Sequence, residues 1–224
     1  MVNIQAAEPQ VYQGQFGEFT IDTHDRQGVI FYRAGLMVAA LSFAVGSTLV
    51  LWQPHTFVQL LTPLYACFSL ALGISLLLIH IYLIPLHRAL QAFWIAGSVA
   101  AIAIALAYRE PLALTVYHNP TTLLGIGLTF VALTGIFFKE AFCFNRLETK
   151  LLTPIVPLLL LGHLSGLLPL VWERGLLAAW AVLMVVFALR KAVQPIPDDI
   201  GDKSVFAYLK QQTNLKQQAK EANL

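Results

Sequence analysis

Long stretches of this chain carry no charged side chain. Residues 34–87, 89–108, 111–138, 151–172 and 175–189 contain no Asp, Glu, Lys or Arg. A helix needs about 20 apolar residues to cross a hydrocarbon core about 30 Å thick. In lipid the backbone groups must be bonded within the segment, so such stretches become helices. The first stretch is too long for one span, and it breaks at the polar turn Trp52-Gln53-Pro54-His55. The pattern therefore predicts six spans, at about 30–51, 57–83, 89–108, 121–138, 152–170 and 175–191, an all-α polytopic bundle. Span four is short, and span six is extended only if Arg190 and Lys191 reach out to the headgroups. The competing reading folds spans five and six into one hydrophobic hairpin that returns to the same side.

Three regions follow: a polar N-terminal segment 1–29, a membrane domain 30–191 and a polar tail 192–224. Val11–Ile21 alternates loosely and holds two glycines, as expected of a short hairpin or an extended strap, marginal if isolated. Asp22 or Thr23 is placed to cap a helix that runs on into span one. The first 28 residues contain Glu8, Glu18, Asp22 and Asp25 and do not read as a cleavable signal peptide. Pro195-Ile196-Pro197 stops a helix, Asp198 to Asp202 reads as a turn-rich linker, and Ser204 can cap a last helix. Of that helix, 204–214 is expected to dock and 215–224 to fray.

Composition supports the membrane reading. Of 224 residues 58% are apolar and 12% charged, where soluble proteins carry roughly 25% charged. Mean hydropathy is +0.70. The formal charge of +2 excludes a strongly basic nucleic-acid binder, and no nucleic-acid partner is expected. The basic residues are unevenly shared between the two sides. With six spans, the N-terminal side collects Arg26, Arg33, Arg88, Lys139, Arg146, Lys150, Arg190, Lys191 and the tail lysines, and the other side only Arg109 and Arg174. The positive-inside rule then puts both termini in the cytoplasm or its plastid equivalent. Cys67 lies within span two and Cys143 on the reducing side, so no disulfide is expected.

Candidate chemistry is sparse. No Asp, Glu, Lys or Arg lies deep in a span, which weighs against ion-coupled transport and proton pumping. His80 and His163 sit within spans, about 5 Å and about 17 Å from the N-terminal side at 1.5 Å per residue. Those depths do not suit a bis-histidine haem. His163, beside Gly162, reads first as an imidazole hydrogen-bonded between helices. The densest polar cluster comprises His80 and His87, two turns apart on one helix face, Arg88, and Glu140, Cys143 and Arg146 in the loop after span four. His, Glu and Cys together suit a soft metal, yet no CxxC, HxxxH or HExxH spacing is present. An interfacial loop in which Glu140 pairs with Lys139, Arg88 or Arg146 is the simpler reading. No nucleotide or acyl-transfer motif occurs. No catalytic residue, cofactor or metal is therefore assigned. Gly97, Ala101 and Ala105, Gly162 and Gly166, and Gly35 and Ala39 are small residues spaced for close helix contact.

Tyr12-Gln-Gly-Gln-Phe-Gly17, Tyr32-Arg-Ala-Gly35 and Phe138-Lys-Glu-Ala-Phe-Cys-Phe-Asn-Arg146 give the chain its resemblance to an uncharacterised integral membrane family, domain of unknown function 2301. The resemblance covers roughly 10–195 and implies a location, the plasma or thylakoid membrane of cyanobacteria or plastids. It transfers no functional residue. The expected partner is the lipid bilayer, with a membrane protein complex as a further one. The leading expectation is a non-enzymatic scaffold or assembly factor for a membrane complex. A permease or channel for a small neutral or lipid-like solute, opening near His80 and Glu140, is the rival. A membrane enzyme or metal site built on His80, Glu140 and Cys143 is third.

Overall fold

The structure, a computed structural model, describes residues 10–53 and 56–221. Pro54 and His55 of the expected turn lie outside the described residues, as do 1–9 and 222–224. Two strands, β1 (Gln10–Gly14) and β2 (Gly17–Ile21), pair antiparallel, with Gln10 opposite Ile21 and Gly14 opposite Gly17. The helices follow: α1 Thr23–Trp52, α2 Val58–Leu78, α3 Ile84–Ala107, α4 Leu112–His118, α5 Leu123–Phe144, α6 Leu147–Ser165, α7 Leu170–Ala192, α8 Ile196–Ile200 and α9 Ser204–Glu221. Helices α1, α2, α3, α5, α6 and α7 are long and apolar enough to cross a membrane.

Asp22 caps α1 as its sequence suggests. Its Oδ1 accepts from the Asp25 amide at 2.8 Å, and its own amide donates to Asp25 Oδ2 at 3.1 Å, a reciprocal capping box. α1 packs along α2 and α7, and α3 along α5. Gly35 meets Ala71 and Ser75 of α2 with no room for a methyl group. Gly97 meets the Thr129 backbone of α5 in the same way, and Ala101 is buried one turn on. Ala105 faces outward, and Gly166 (φ 66°) ends α6 as a left-handed cap, leaving Gly162 as the contact of that pair, against Leu168. The core runs through Tyr32, Leu36, Phe68, Leu72, Leu133, Phe137, Trp180 and Phe187. Leu70, Val99, Ile102, Leu106, Leu161 and Val182 face outward, as a lipid solvent requires.

The helix ends depart from the sequence expectation in two informative places. α2 stops at Leu78, not near 83, and α3 starts at Ile84 with Pro85 in its first turn, where the missing N–H costs no helical hydrogen bond. His80 therefore lies in the α2–α3 linker and His87 on α3, so the two do not share a helix face. α5 continues to Phe144 and ends where Asn145 turns left-handed (φ 52°), so Lys139, Glu140 and Cys143 are helical rather than in a loop. The short α4 was not anticipated at all. It packs Leu112 against Ala101 and Ile126, and its first amide donates to Thr62 Oγ1 at 3.1 Å.

The hairpin and the α8–α9 segment meet at one end of the bundle. The hairpin tip rests on the α8–α9 linker, where the Gln15 amide donates to Asp202 Oδ2 at 2.7 Å and the Phe16 amide to Ser204 Oγ at 3.0 Å. Phe16 stacks on Tyr208 with ring centroids 4.1 Å apart. A hairpin too small to stand alone is thus held by the tail.

Candidate functional site

The end of the bundle that carries the chain ends also carries most of the basic residues. Its centre is Glu140, on the last turns of α5 and fully buried. Glu140 Oε1 accepts from Lys139 Nζ at 2.9 Å and from the Tyr32 hydroxyl at 3.4 Å, and Oε2 accepts from Lys191 Nζ at 2.6 Å. Lys191, on α7, is itself 0% exposed and also bonds Asp199 of α8. Asp199 Oδ2 accepts from Arg33 Nε at 2.8 Å, and the same guanidinium donates to the carbonyls of Gln194 and Pro195 at 2.6 and 3.0 Å. Lys191 Nζ lies 4.4 Å from the centre of the Phe144 ring, a cation–π contact.

This network corrects one expectation directly. Arg190 and Lys191 were expected to reach out together to the headgroups. Adjacent helical residues point to different sides, and only Arg190 reaches out, its side chain 53% exposed and bonded to Glu148 Oε2 at 2.8 Å. Lys191 turns inward. Burying it unpaired would be prohibitive, so its two carboxylates are what permit that position.

The other residues of the cluster are placed around the network rather than in it. Arg146 donates from Nη2 to Gln194 Oε1 at 2.8 Å. His87 Nε2 bonds the Leu76 carbonyl at 2.7 Å, satisfying an acceptor in the last turn of α2. Arg88 reaches only Gln91, at 3.3 Å and in the open. Cys143 is an exposed free thiol, as is Cys67. His80 stands among Asp25, Lys139, Lys203 and Asp199, and burial lowers its pKa below the ordinary 6.5. Tyr82, in the same linker, is pushed up to about 12 by burial and by the neighbouring Asp202 carboxylate, and its hydroxyl donates to the Ile200 carbonyl at 3.4 Å. Asp202 is held below the usual carboxylate value by hydrogen bonds from Ser204 and the Gln15 amide. Glu140, His80 and Cys143 are not bonded to one another. Among the described residues no three His, Cys, Asp or Glu side chains are grouped to hold a metal ion.

The opposite end holds a cavity of about 410 Å³ among α1, α2, α4, α5, α6 and α7. Most of its lining is leucine and valine. Its polar residues are Tyr117, His118, His163, Glu173 and Arg174. His163 Nδ1 donates to Glu173 Oε1 at 2.7 Å, joining α6 to α7. Its ring also stacks on Tyr117, centroids 5.3 Å apart. Sequence reasoning missed Lys191, Asp199 and Arg33 at one end and Glu173 at the other. The one usable signal is an acidic residue just before span six, ten positions beyond the histidine inside span five.

The model of the family described as uncharacterized integral membrane protein (DUF2301) matches residues 74–208, which include Glu140, Lys191, Asp199, His163 and Glu173. A protein of Haemophilus influenzae described as uncharacterized is 30% identical over 189 residues, covering 83% of this chain and 94% of that protein. That source lies outside cyanobacteria and plastids. No solved structure matches significantly.

Proposed function

The chain belongs to this integral membrane family, and on that premise we propose that it is a non-enzymatic structural component whose basic end is an assembly platform for another protein of its membrane. The observation that carries this reading is the closure of the buried charges on one another. Glu140, Lys191, Asp199 and Arg33 bind each other across α1, α5, α7 and α8, so they fix a surface rather than offer groups to a substrate. A buried ion pair is a poor source of stability but a good means of specifying one arrangement. The basic end faces the cytoplasm in this reading, as the distribution of Lys and Arg supports.

Cys143 supplies the test, since its free thiol sits on this exposed face. A thiol-anchored photocrosslinker placed there in native membranes should give one discrete heavier adduct. The adduct should disappear in Cys143→Ser and weaken in Asp199→Asn, which loosens the network. Adducts with lipid alone, or an adduct insensitive to Asp199→Asn, would overturn the platform. A membrane-impermeant thiol reagent should reach Cys143 only after permeabilisation of the cells; labelling of intact cells would reverse the orientation.

A second reading, a permease for a small neutral or lipid-like solute, has one observation in its favour. It is the cavity at the far end. Glu140 offers no opening for such a solute at the basic end, being fully buried.

A further inference from the structure

We propose that the far-end cavity is a binding site for an uncharged apolar molecule with a hydroxyl-bearing head, an alcohol or phenol taken up from the bilayer. The site is independent of the platform reading and lies at the other end of the spans.

The size is right for a ligand. Pockets for small molecules run from about 300 to about 1,000 Å³, mostly apolar with a few placed polar groups, and this one is about 410 Å³. Leu61, Leu159, Leu160, Leu170 and Leu177 supply walls suited to a hydrocarbon body. The polar part is concentrated in a few groups. Glu173 holds His163 by Nδ1, as carboxylates commonly orient imidazoles. Tyr117 stacks on the ring from α4. With Nδ1 held by Glu173 and the ring face on Tyr117, Nε2 has no hydrogen bond among the described residues and is left for an occupant.

The chemistry of that nitrogen selects the head. Nε2 accepts a hydrogen bond when the ring is neutral and donates one when it is charged. A hydroxyl can answer either way, whereas a carbonyl or an ammonium answers only one. The lining charges select against ions. With the His163 ring neutral, Glu173 and Arg174 cancel formally, so neither a carboxylate nor an amine finds a net opposite charge. An isolated ion carried into such a space would lose its hydration without compensation. The location supplies the route, because α4 covers the end of a bundle whose flanks face lipid.

The full-length protein in phosphatidylcholine nanodiscs should be photolabelled by a medium-chain alcohol carrying a diazirine. Mass spectrometry should place the label on Tyr117, Leu160 and Leu177. The matched carboxylic acid should label these positions at least fivefold less. Leu177→Trp, which fills the cavity, should cut the alcohol label about tenfold. His163→Gln should cut it severalfold while the protein keeps its thermal transition, and Leu177→Trp keeps the test decisive if His163→Gln fails to fold. Label spread over lipid-facing Leu70, Val99 and Leu106, or unchanged in Leu177→Trp, would overturn the site. Equal or stronger labelling by the acid would overturn the hydroxyl head.

Discussion

The two ends of the bundle solve the same problem in opposite ways. Each must place charged side chains at or beneath a membrane surface. The basic end pairs its buried charges on one another, with Lys191 shared by Glu140 and Asp199 and none of the three left in water, and single atoms of Arg146, Glu148 and Gln194 stay unbonded at its margin. The far end joins His163 to Glu173 between two helices, sets His118 beside Glu110 in the open, and leaves a cavity next to them. The first arrangement fixes helices against one another, and the second leaves room. A difference in rigidity between the ends follows from how completely the polar groups are consumed.

The largest test of that contrast is Lys191→Met. It leaves Glu140 with Lys139 and Asp199 with Arg33, but removes the cation that joins them. The loss expected for breaking a buried pair is about 3–5 kcal/mol, read as thermal unfolding in detergent. Adding Glu140→Gln should recover part of it, since the stranded carboxylate is then gone, and full additivity would show that the two groups do not interact. Glu173→Gln should cost less, about 1 kcal/mol, because the His163 contact is partly exposed and the neutral amide still accepts a hydrogen bond. Equal losses at the two ends would break the comparison.

Smaller effects sharpen it. Lys203 bonds Asp25 at 2.7 Å, with the lysine 30% exposed, so Lys203→Ala should cost under about 1 kcal/mol, and less at high salt. His80 gives a pH signature of the basic end. Burial depresses its folded-state pKa below 6.5, so the unfolded chain binds more protons under mildly acidic conditions. The stabilisation is present above pH 6.5 and is lost as pH falls from there towards the lower folded value. The unfolding temperature should drop across that interval, and the drop should shrink in His80→Gln. Asp202, held low by its hydrogen bonds, acts in a separate and more acidic window below 3.8.

The spans were legible because lipid imposes a simple rule, and charge-free stretches are easy to find. The same rule hid their inner ends. From 57 to 87 every residue is compatible with lipid, and only Pro85 marked the break that separates His80 from His87. The α4 helix was invisible for the same reason, lying inside the charge-free stretch 111–138. Glu140 belongs to the polar cluster that the sequence singles out, and its Lys139 contact is among the pairs the sequence suggests. Its other cation, Lys191, lies 51 positions away. Partners at that separation are set by which helices pack together, and neither periodicity nor spacing encodes it. Lys191 also looked like a snorkelling residue because its charged neighbour is one.

The clasp between the two chain ends has a consequence for biosynthesis. Asp199, Asp202 and Ser204 leave the ribosome after all six spans, whereas the hairpin and Arg33 leave it first. Until the tail arrives, the hairpin tip has nothing to rest on and Arg33 has no carboxylate. A product stalled before residue 190 leaves Glu140 with Lys139 and the Tyr32 hydroxyl but without Lys191. Closure of this end therefore reports that α8 and the start of α9 have been made, and a chain interrupted before them is marked by what it leaves uncovered.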